Sequence, residues 1–294
     1  MCKKEYVQHP LFASYLAGLW EGDGHIVCPR YNQQNVCTNT PSFHITFARR
    51  NSPVCHLLRS HYGGWIRKKE KENALVWSIS KLSDLMHITA LLNGLLRTPK
   101  IYQFHQLIAY LNRKSPLNKG EFKGLDNSPL ESNYWLSGLI DSDGGFKIRT
   151  SLIVRKGGAR KGLPSMRGSS FRIECRFVIE QRKHHKRTNQ SFQPIFAKIA
   201  QFLGSNCNTS RHNSREYWCV ESSSPSKLAK LVQYLDQYPL LTIKFNDYQD
   251  WRKSLDLIVC KAHLTEGGCS QIVEIKSNIN SKRILSLDNW NHIT

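Results

Sequence analysis

The stretch YLAGLWEGDGHI, residues 15–26, ends an apolar helical pattern in an acid, a glycine and the first residues of a strand. Negative charge at a helix C-terminus opposes the helix dipole, yet the chain does the same again at residues 135–146, WLSGLIDSDGGF. Small residues stand one turn apart in each copy, Gly18 and Gly22 in the first and Gly138 and Ser142 in the second. Residues at that spacing share a helix face and let two backbones approach closely. Packed on each other, the copies would bring Asp23 and Asp143 side by side, with Gly24 and Gly144 expected as left-handed C-caps. Two carboxylates so placed repel each other and the local dipoles, and a divalent cation supplies the compensation. A hard ion such as Mg²⁺ prefers carboxylate, water and phosphate oxygens, so the same place would draw phosphates.

The composition names the kind of partner. The 294 residues are 40% hydrophobic, enough for a packed core, and 42 Lys plus Arg against 22 Asp plus Glu leave a formal charge of +20. Such an excess implies a polyanion, nucleic acid first. A membrane is excluded as partner, because no run of about eighteen apolar residues occurs and the basic residues are scattered over many segments. Nine cysteines, odd in number and without CxxC spacing, read as free thiols in a reducing compartment. The opening MCKKEYVQHPLFASYLAGLW lacks a small-residue cleavage pattern before EGDG and is read as mature protein.

A duplication runs beyond the two motifs. After Gly24 the pattern predicts two strands, a helix in NSPVCHLLRSHYGG, two more strands, and helices in KLSDLMHITALLNG and IYQFHQLIAYLNRK. Residues 115–130, SPLNKGEFKGLDNSPL, read as a linker. The order then restarts: a helix at 132–142, strands near 145–154 and 170–181, a helix near 191–203, strands near 207–212 and 216–221, a helix near 225–236. VWSISKLSDL (76–85) matches YWCVESSSPSKLAKL (217–231), and LLRTPKI (95–101) matches PLLTIKF (239–245). The chain thus divides into a first lobe, 1–114, a linker, 115–130, and a second lobe, 131–294, with a tail after about 262.

LAGLWEGDG (16–24) and LSGLIDSDG (136–144) resemble the two signature motifs of a single-chain LAGLIDADG homing endonuclease of the intron-encoded, organellar type. The resemblance covers about residues 10–260. It implies an α+β fold of two pseudo-symmetric αββαββα lobes, motif helices at the interface, and a four-stranded antiparallel sheet from each lobe forming a DNA-binding saddle. It implies Mg²⁺-dependent double-strand cleavage of a long asymmetric DNA site by a monomer, with two or three divalent ions between the lobes. The eighth motif position, the metal-binding acid, maps to Asp23 and Asp143, with Glu21 and Asp141 as second choices. The T-x-K matches carry a catalytic basic residue to Lys100 and Lys244. Gln181 takes the polar position that orders water in the second lobe, and its first-lobe counterpart is Phe47, so the site is expected to be asymmetric. The resemblance also admits an RNA maturase acting on its own intron, or a DNA-binding protein without activity. It places the protein in a mitochondrion or chloroplast.

Strand alternation nominates a DNA-contacting face. In the second lobe it carries Lys147, Arg149, Ser151 and Arg155, then Arg172, Glu174, Arg176, Glu180 and, at the strand end, Arg182. Donors and acceptors mixed in this way suit base edges, whereas uniform lysine would only hold phosphate. The first-lobe counterparts are Arg30, His44, Thr46 and the tract Arg67, Lys68, Lys69. One helical turn per lobe gives a site of ~20 bp. Duller readings stand beside these. A lone Asp-Gly is commonly a turn, and recurrence in a matched helix is what favours the metal reading; alternating Arg and Lys on a strand is commonly a wet sheet face. His184 and His185 in QRKHHKR are expected to meet phosphate or solvent, and Trp77 and Trp218 to be core.

Overall fold

Gly18 and Gly138 set the distance between the two halves of the chain. The computed structural model describes residues 12–117, 119–154 and 169–293. In it helix α1 (Phe12–Asp23) crosses helix α5 (Trp135–Asp143) at these glycines. A Cβ on Gly18 would stand 1.9 Å from the Trp135 carbonyl oxygen, and one on Gly138 would stand 2.0 Å from that of Tyr15. One turn on, a Cβ on Gly22 would meet the Ser142 side chain at 1.7 Å. The small-residue stripe read from the sequence is therefore the crossing point of the two helices.

Each motif helix runs into the first strand of its own sheet. In the first lobe β1 (Gly24–Val27), β2 (Ser42–Ala48), β3 (Trp65–Lys69) and β4 (Ala74–Ile79) are ordered β1-β2-β4-β3. In the second, β5 (Gly144–Val154), β6 (Ser169–Arg182), β7 (Cys207–His212) and β8 (Arg215–Ser222) repeat the order as β5-β6-β8-β7. All pairings are antiparallel, and Gly24 lies opposite Ile45 as Gly144 lies opposite Ile179. The helices are α2 (Ser52–Tyr62), α3 (Leu82–Leu92) and α4 (Ile101–Lys114), matched by α6 (Gln193–Phe202), α7 (Pro225–Gln237) and α8 (Lys244–Val259). They cover one face of each sheet, where Phe43, Ile45, Phe47, Phe146, Phe177 and Ile179 are buried in a core cluster spanning both lobes. The other sheet face is left open.

Four readings are corrected. Gly24 and Gly144 are not left-handed caps: Gly144 has φ −81° and ψ 158°, and Gly24 has no positive φ. The chain passes straight from helix to strand, and glycine is required because a Cβ at Gly24 would lie 2.1 Å from the Trp20 ring. The helix expected from 132 begins at Trp135, after a short 3-10 turn at Leu130–Ser132. Trp77 is fully buried, whereas Trp218 is half-buried, donating to Ser191 Oγ under the ammonium of Lys183. His185 does not face solvent; it is buried, with its ring nitrogens on Gln103 of α4 and Thr188.

The described part of the linker lacks regular structure up to Pro129 and is fastened chiefly to the first lobe. Asn112 and Asn93 bond Gly120, Glu121 and Lys123, and the buried Arg97 guanidinium holds Asp126 at 2.7 Å and Ser128. No described helix is long and apolar enough to cross a membrane, and every described cysteine is a free thiol.

Gly18→Ala tests the crossing. Helix propensity alone favours alanine by about 1 kcal/mol, but the added methyl must push the helices apart, so a net loss of about 2–3 kcal/mol is expected in thermal or urea melts. Gly124→Ala, where a Cβ meets nothing within 4 Å, should leave the melt unchanged.

Candidate active site at the lobe interface

The two motif helices end together, and the second half of the site is delivered by two matched loops. Lys100 stands just before α4 and Lys244 opens α8, each two residues after a threonine, Thr98 and Thr242. Each lysine turns back onto the motif helix of its own lobe. Lys100 Nζ donates to the carbonyls of Gly22 and Gly24 at 2.8 Å and of Trp20 at 3.3 Å. Lys244 Nζ donates to Ile140 at 3.0 Å and Ser142 at 2.9 Å. A cation on the last carbonyls of a helix neutralises its negative end. The ammonium groups thus answer the dipole problem that the motif poses.

Glu21 and Asp141 hold those loops. Glu21 accepts from the backbone N–H of Arg97 and Thr98, from the Thr98 hydroxyl, and from Trp135 Nε1 at 2.7 Å. Asp141 accepts from the N–H of Leu241 and Thr242, from the Thr242 hydroxyl, and from the Tyr15 hydroxyl at 2.7 Å. Tyr15 and Trp135 precede the two motifs at equivalent positions. Each carboxylate therefore fixes the lysine loop of its own lobe and is completed by an aromatic donor from the other. Both are buried, and burial pushes Glu21 above the usual carboxylate range against the pull of its donors.

Asp23 and Asp143 remain at the helix tips. The carboxylate of Asp143 lies 3.1 Å from where a Cβ on Gly22 would stand, beside the end of α1. Gln181 Nε2 donates to Asp143 Oδ2 at 2.7 Å, whereas the register partner position in the first lobe is the buried Phe47. Among the described residues no side chain hydrogen-bonds to Asp23, and neither acid has a salt-bridge partner. Burial, then the neighbouring Asp23 charge, push Asp143 up to about 7 against the pull of Lys100 and Lys244. Burial also raises Asp23, opposed by Lys244 and Lys100. Burial lowers both lysines, and the acids, Asp143 foremost for Lys100 and Asp141 for Lys244, oppose it. Two adjoining carboxylates with no salt-bridge partner among the described residues, and with two ammonium groups behind them, fit a divalent ion.

The open sheet faces carry most of the nominated contact residues. In the second lobe Lys147, Arg149 and Ser151 stand opposite Arg176, Glu174 and Arg172, with Glu180 and Arg182 further along the same parity. Arg176 is already engaged, bonding Glu221 and, at 3.1 Å, Glu174. Glu180 faces His212 at 3.4 Å. In the first lobe His44, Thr46, Arg67 and Lys69 share the open face. Lys68 does not, for it pairs with Leu75 and belongs to the helix side. Arg30 is exposed in the folded loop after β1, its N–H bonded to Asn39, and Arg155 lies outside the described residues.

His44 is bonded on both ring nitrogens, by Ser42 and Ser78, and burial with His25 beside it lowers its pKa to about 4. The exposed ring stacked on it, 4.6 Å away, is His25. Desolvation at the sheet face, then the charges of Lys100, Lys69, Arg187 and Arg67, lower the pKa of His25. The sequence reading missed His25 and Arg187; one sits a single residue past the motif glycine, the other in a second-lobe loop that reaches across to Cys28.

The chain matches the family model described as LAGLIDADG endonuclease over residues 16–111 and 136–255. It is 27% identical over 275 residues to an uncharacterized 37.2 kDa cox1 intron-2 protein of Schizosaccharomyces pombe, covering 92% of this chain and 74% of the relative. Over 325 residues it is 25% identical to the intron-encoded DNA endonuclease aI3 of Saccharomyces cerevisiae, covering 100% and 75%. Among solved structures, the I-SmaMI LAGLIDADG homing endonuclease bound to cleaved DNA superposes with TM-score 0.66 at 18% identity, over 92% of this chain and 98% of that one. I-LtrWI bound to target DNA gives 0.65 at 20%, over 95% and 99%. Both likenesses are of fold. The two family matches each begin at the first residue of a motif and run through the lobe that follows it, and the chain belongs to the LAGLIDADG endonuclease family.

Proposed function

We propose that the chain is a site-specific DNA endonuclease that hydrolyses both strands of a long, asymmetric duplex with Mg²⁺ at the lobe interface. The observation that carries the reading is the pair of carboxylates, Asp23 and Asp143, that have no salt-bridge partner among the described residues and stand where two sheets with basic open faces meet. Asp23 and Asp143 would hold the divalent ions, which supply charge neutralisation and an acidified water. Lys100 and Lys244, anchored on helix-terminal carbonyls, keep positive charge beside the scissile phosphates as negative charge develops. Gln181 orients Asp143, and by its amide the water near it. The sheets position the duplex through phosphate contacts and read base edges with the mixed donors and acceptors of the second lobe. Both half-sites lie in one chain, which supports a monomer. The intron-encoded relatives, one of them named for a cox1 intron, support an organellar intron as source and an organelle as location.

A randomised duplex library incubated with the protein and Mg²⁺, followed by sequencing of the ends, tests the reading. Ends on both strands at a fixed offset are expected. Asp23→Asn and Asp143→Asn should each abolish double-strand cutting while leaving duplex binding in Ca²⁺ unchanged. Cutting of both strands at the parental rate by either variant would remove that acid from the site. Tight binding without ends would favour an inactive DNA-binding protein, and rescue of intron splicing by the non-cutting variants would favour a maturase.

The same acid predicts a pH signature without cation. Asp143 is pushed up to about 7 in the folded chain, against about 4 in an unfolded one. The folded state thus binds the proton more tightly, and the stability this confers is complete below pH ~4 and lost as pH rises through 7. Asp143→Asn should therefore melt above the parent at pH 8, by up to about 4 kcal/mol for a shift of about three units, and converge with it toward pH 4. A variant less stable than the parent at pH 8 in chelator would show that the carboxylates do not strain the cation-free fold.

A further inference from the structure

The residues after α8 form helix α9 (Glu266–Asn278) and a turn for which the described first-lobe residues have no counterpart. They lie along the free edge of β5. Lys276 Nζ donates to Thr150 Oγ1 at 2.6 Å and Asn280 Nδ2 to the Phe146 carbonyl at 2.9 Å. The Asn280 carbonyl in turn accepts from Arg50 of the first lobe at 2.9 Å, and Arg283 is locked on Asp247 and Asp250. The turn is thus wedged at the lobe junction, held at both ends.

The place it occupies has an equivalent on the opposite flank. There the long second-lobe connection 183–192 docks on α4 through His185–Gln103 and Gln190–Tyr102 and brings Arg187 to Cys28 at the edge of β1. The first-lobe connection at the same point, 49–51, is a single 3-10 turn and too short to do the same for β5. The C-terminal turn fills that gap. It walls a hollow of about 440 Å³ with the open face of the second sheet, lined among others by Lys147, Arg149, Arg176, Lys276 and Lys282. The acid there, Glu221, is already bonded to Arg176.

We propose that Lys276 and Lys282 form a phosphate clamp, which extends the DNA-contacting surface past the edge of the second sheet and grips the duplex backbone on that flank. This rests on the endonuclease reading and adds to it a partner for the tail. Lysines on a duplex backbone displace condensed counterions, so each contact shows in the salt dependence of binding at about 0.9 per phosphate.

The test is binding in Ca²⁺ of a fluorescein-labelled duplex carrying the site recovered from the library, beside a random-sequence duplex. For the Lys276→Ala/Lys282→Ala pair, affinity for both duplexes should fall about ten-fold and the log–log salt slope should shrink by about two. The Lys276→Arg/Lys282→Arg pair should restore both. Lys227→Ala, exposed on α7 and outside the tail's contacts, serves as control and should change neither. An unchanged slope in the alanine pair overturns the clamp, as does a loss that tracks a lowered melting temperature and is not restored by arginine. Failure of the parent to bind any duplex would instead sink the endonuclease reading on which the clamp depends.

Discussion

Everything in this molecule follows from two helix backbones brought nearly into contact at Gly18 and Gly138. The close crossing carries the tips of both helices to one spot, and with them two acids and two negative dipole ends. A fold cannot leave that much like charge together without a response. The response here is divided: lysine ammoniums sit on the helix-end carbonyls, and the carboxylates themselves are left for something else to neutralise. That division separates the ammonium groups, set on helix-end carbonyls, from two carboxylates that no salt bridge engages among the described residues.

The placing of the lysines is itself a built feature. Glu21 and Asp141 each spend three or more accepted hydrogen bonds on the loops at Arg97–Thr98 and Leu241–Thr242. Buried carboxylates are stabilised by such multiple donors, and a loop carrying two N–H groups and a hydroxyl toward one acid has little freedom left. The lysine two residues further on inherits that rigidity. Lysines in these positions therefore neutralise charge without first having to be ordered, the condition under which electrostatic stabilisation is strongest.

The sequence made the architecture legible because the duplication is written in small residues and in strand parity, both of which survive without long-range information. The paired motifs predicted the crossing, and alternation placed His44, Thr46, Lys147 and Arg149 on the open face where the structure has them. What alternation could not show was the short β3 register that turns Lys68 to the helix side, since a run of three cations has no apolar parity to read. The left-handed caps failed for a related reason: glycine after a helix signals either backbone freedom or absence of a side chain, and only the packed Trp20 and Ile140 decide between them. Contacts to backbone carbonyls, such as those of Lys100, Lys244 and Asn280, leave no pattern in the acceptor's sequence. The packing of His185 and of the tail could not be read, because Gln103 and Arg50, which meet them, lie in the other lobe.

The exchanged aromatic donors, Trp135 to Glu21 and Tyr15 to Asp141, bear on how such proteins can be recombined. A half taken from a relative arrives with its own acid and its own lysine loop, but with the donor that completes that acid left behind in the discarded half. The heritable unit is therefore the seam, four positions on two helices, and grafts that preserve it should keep both buried acids and both lysine loops in place whichever surfaces they trade.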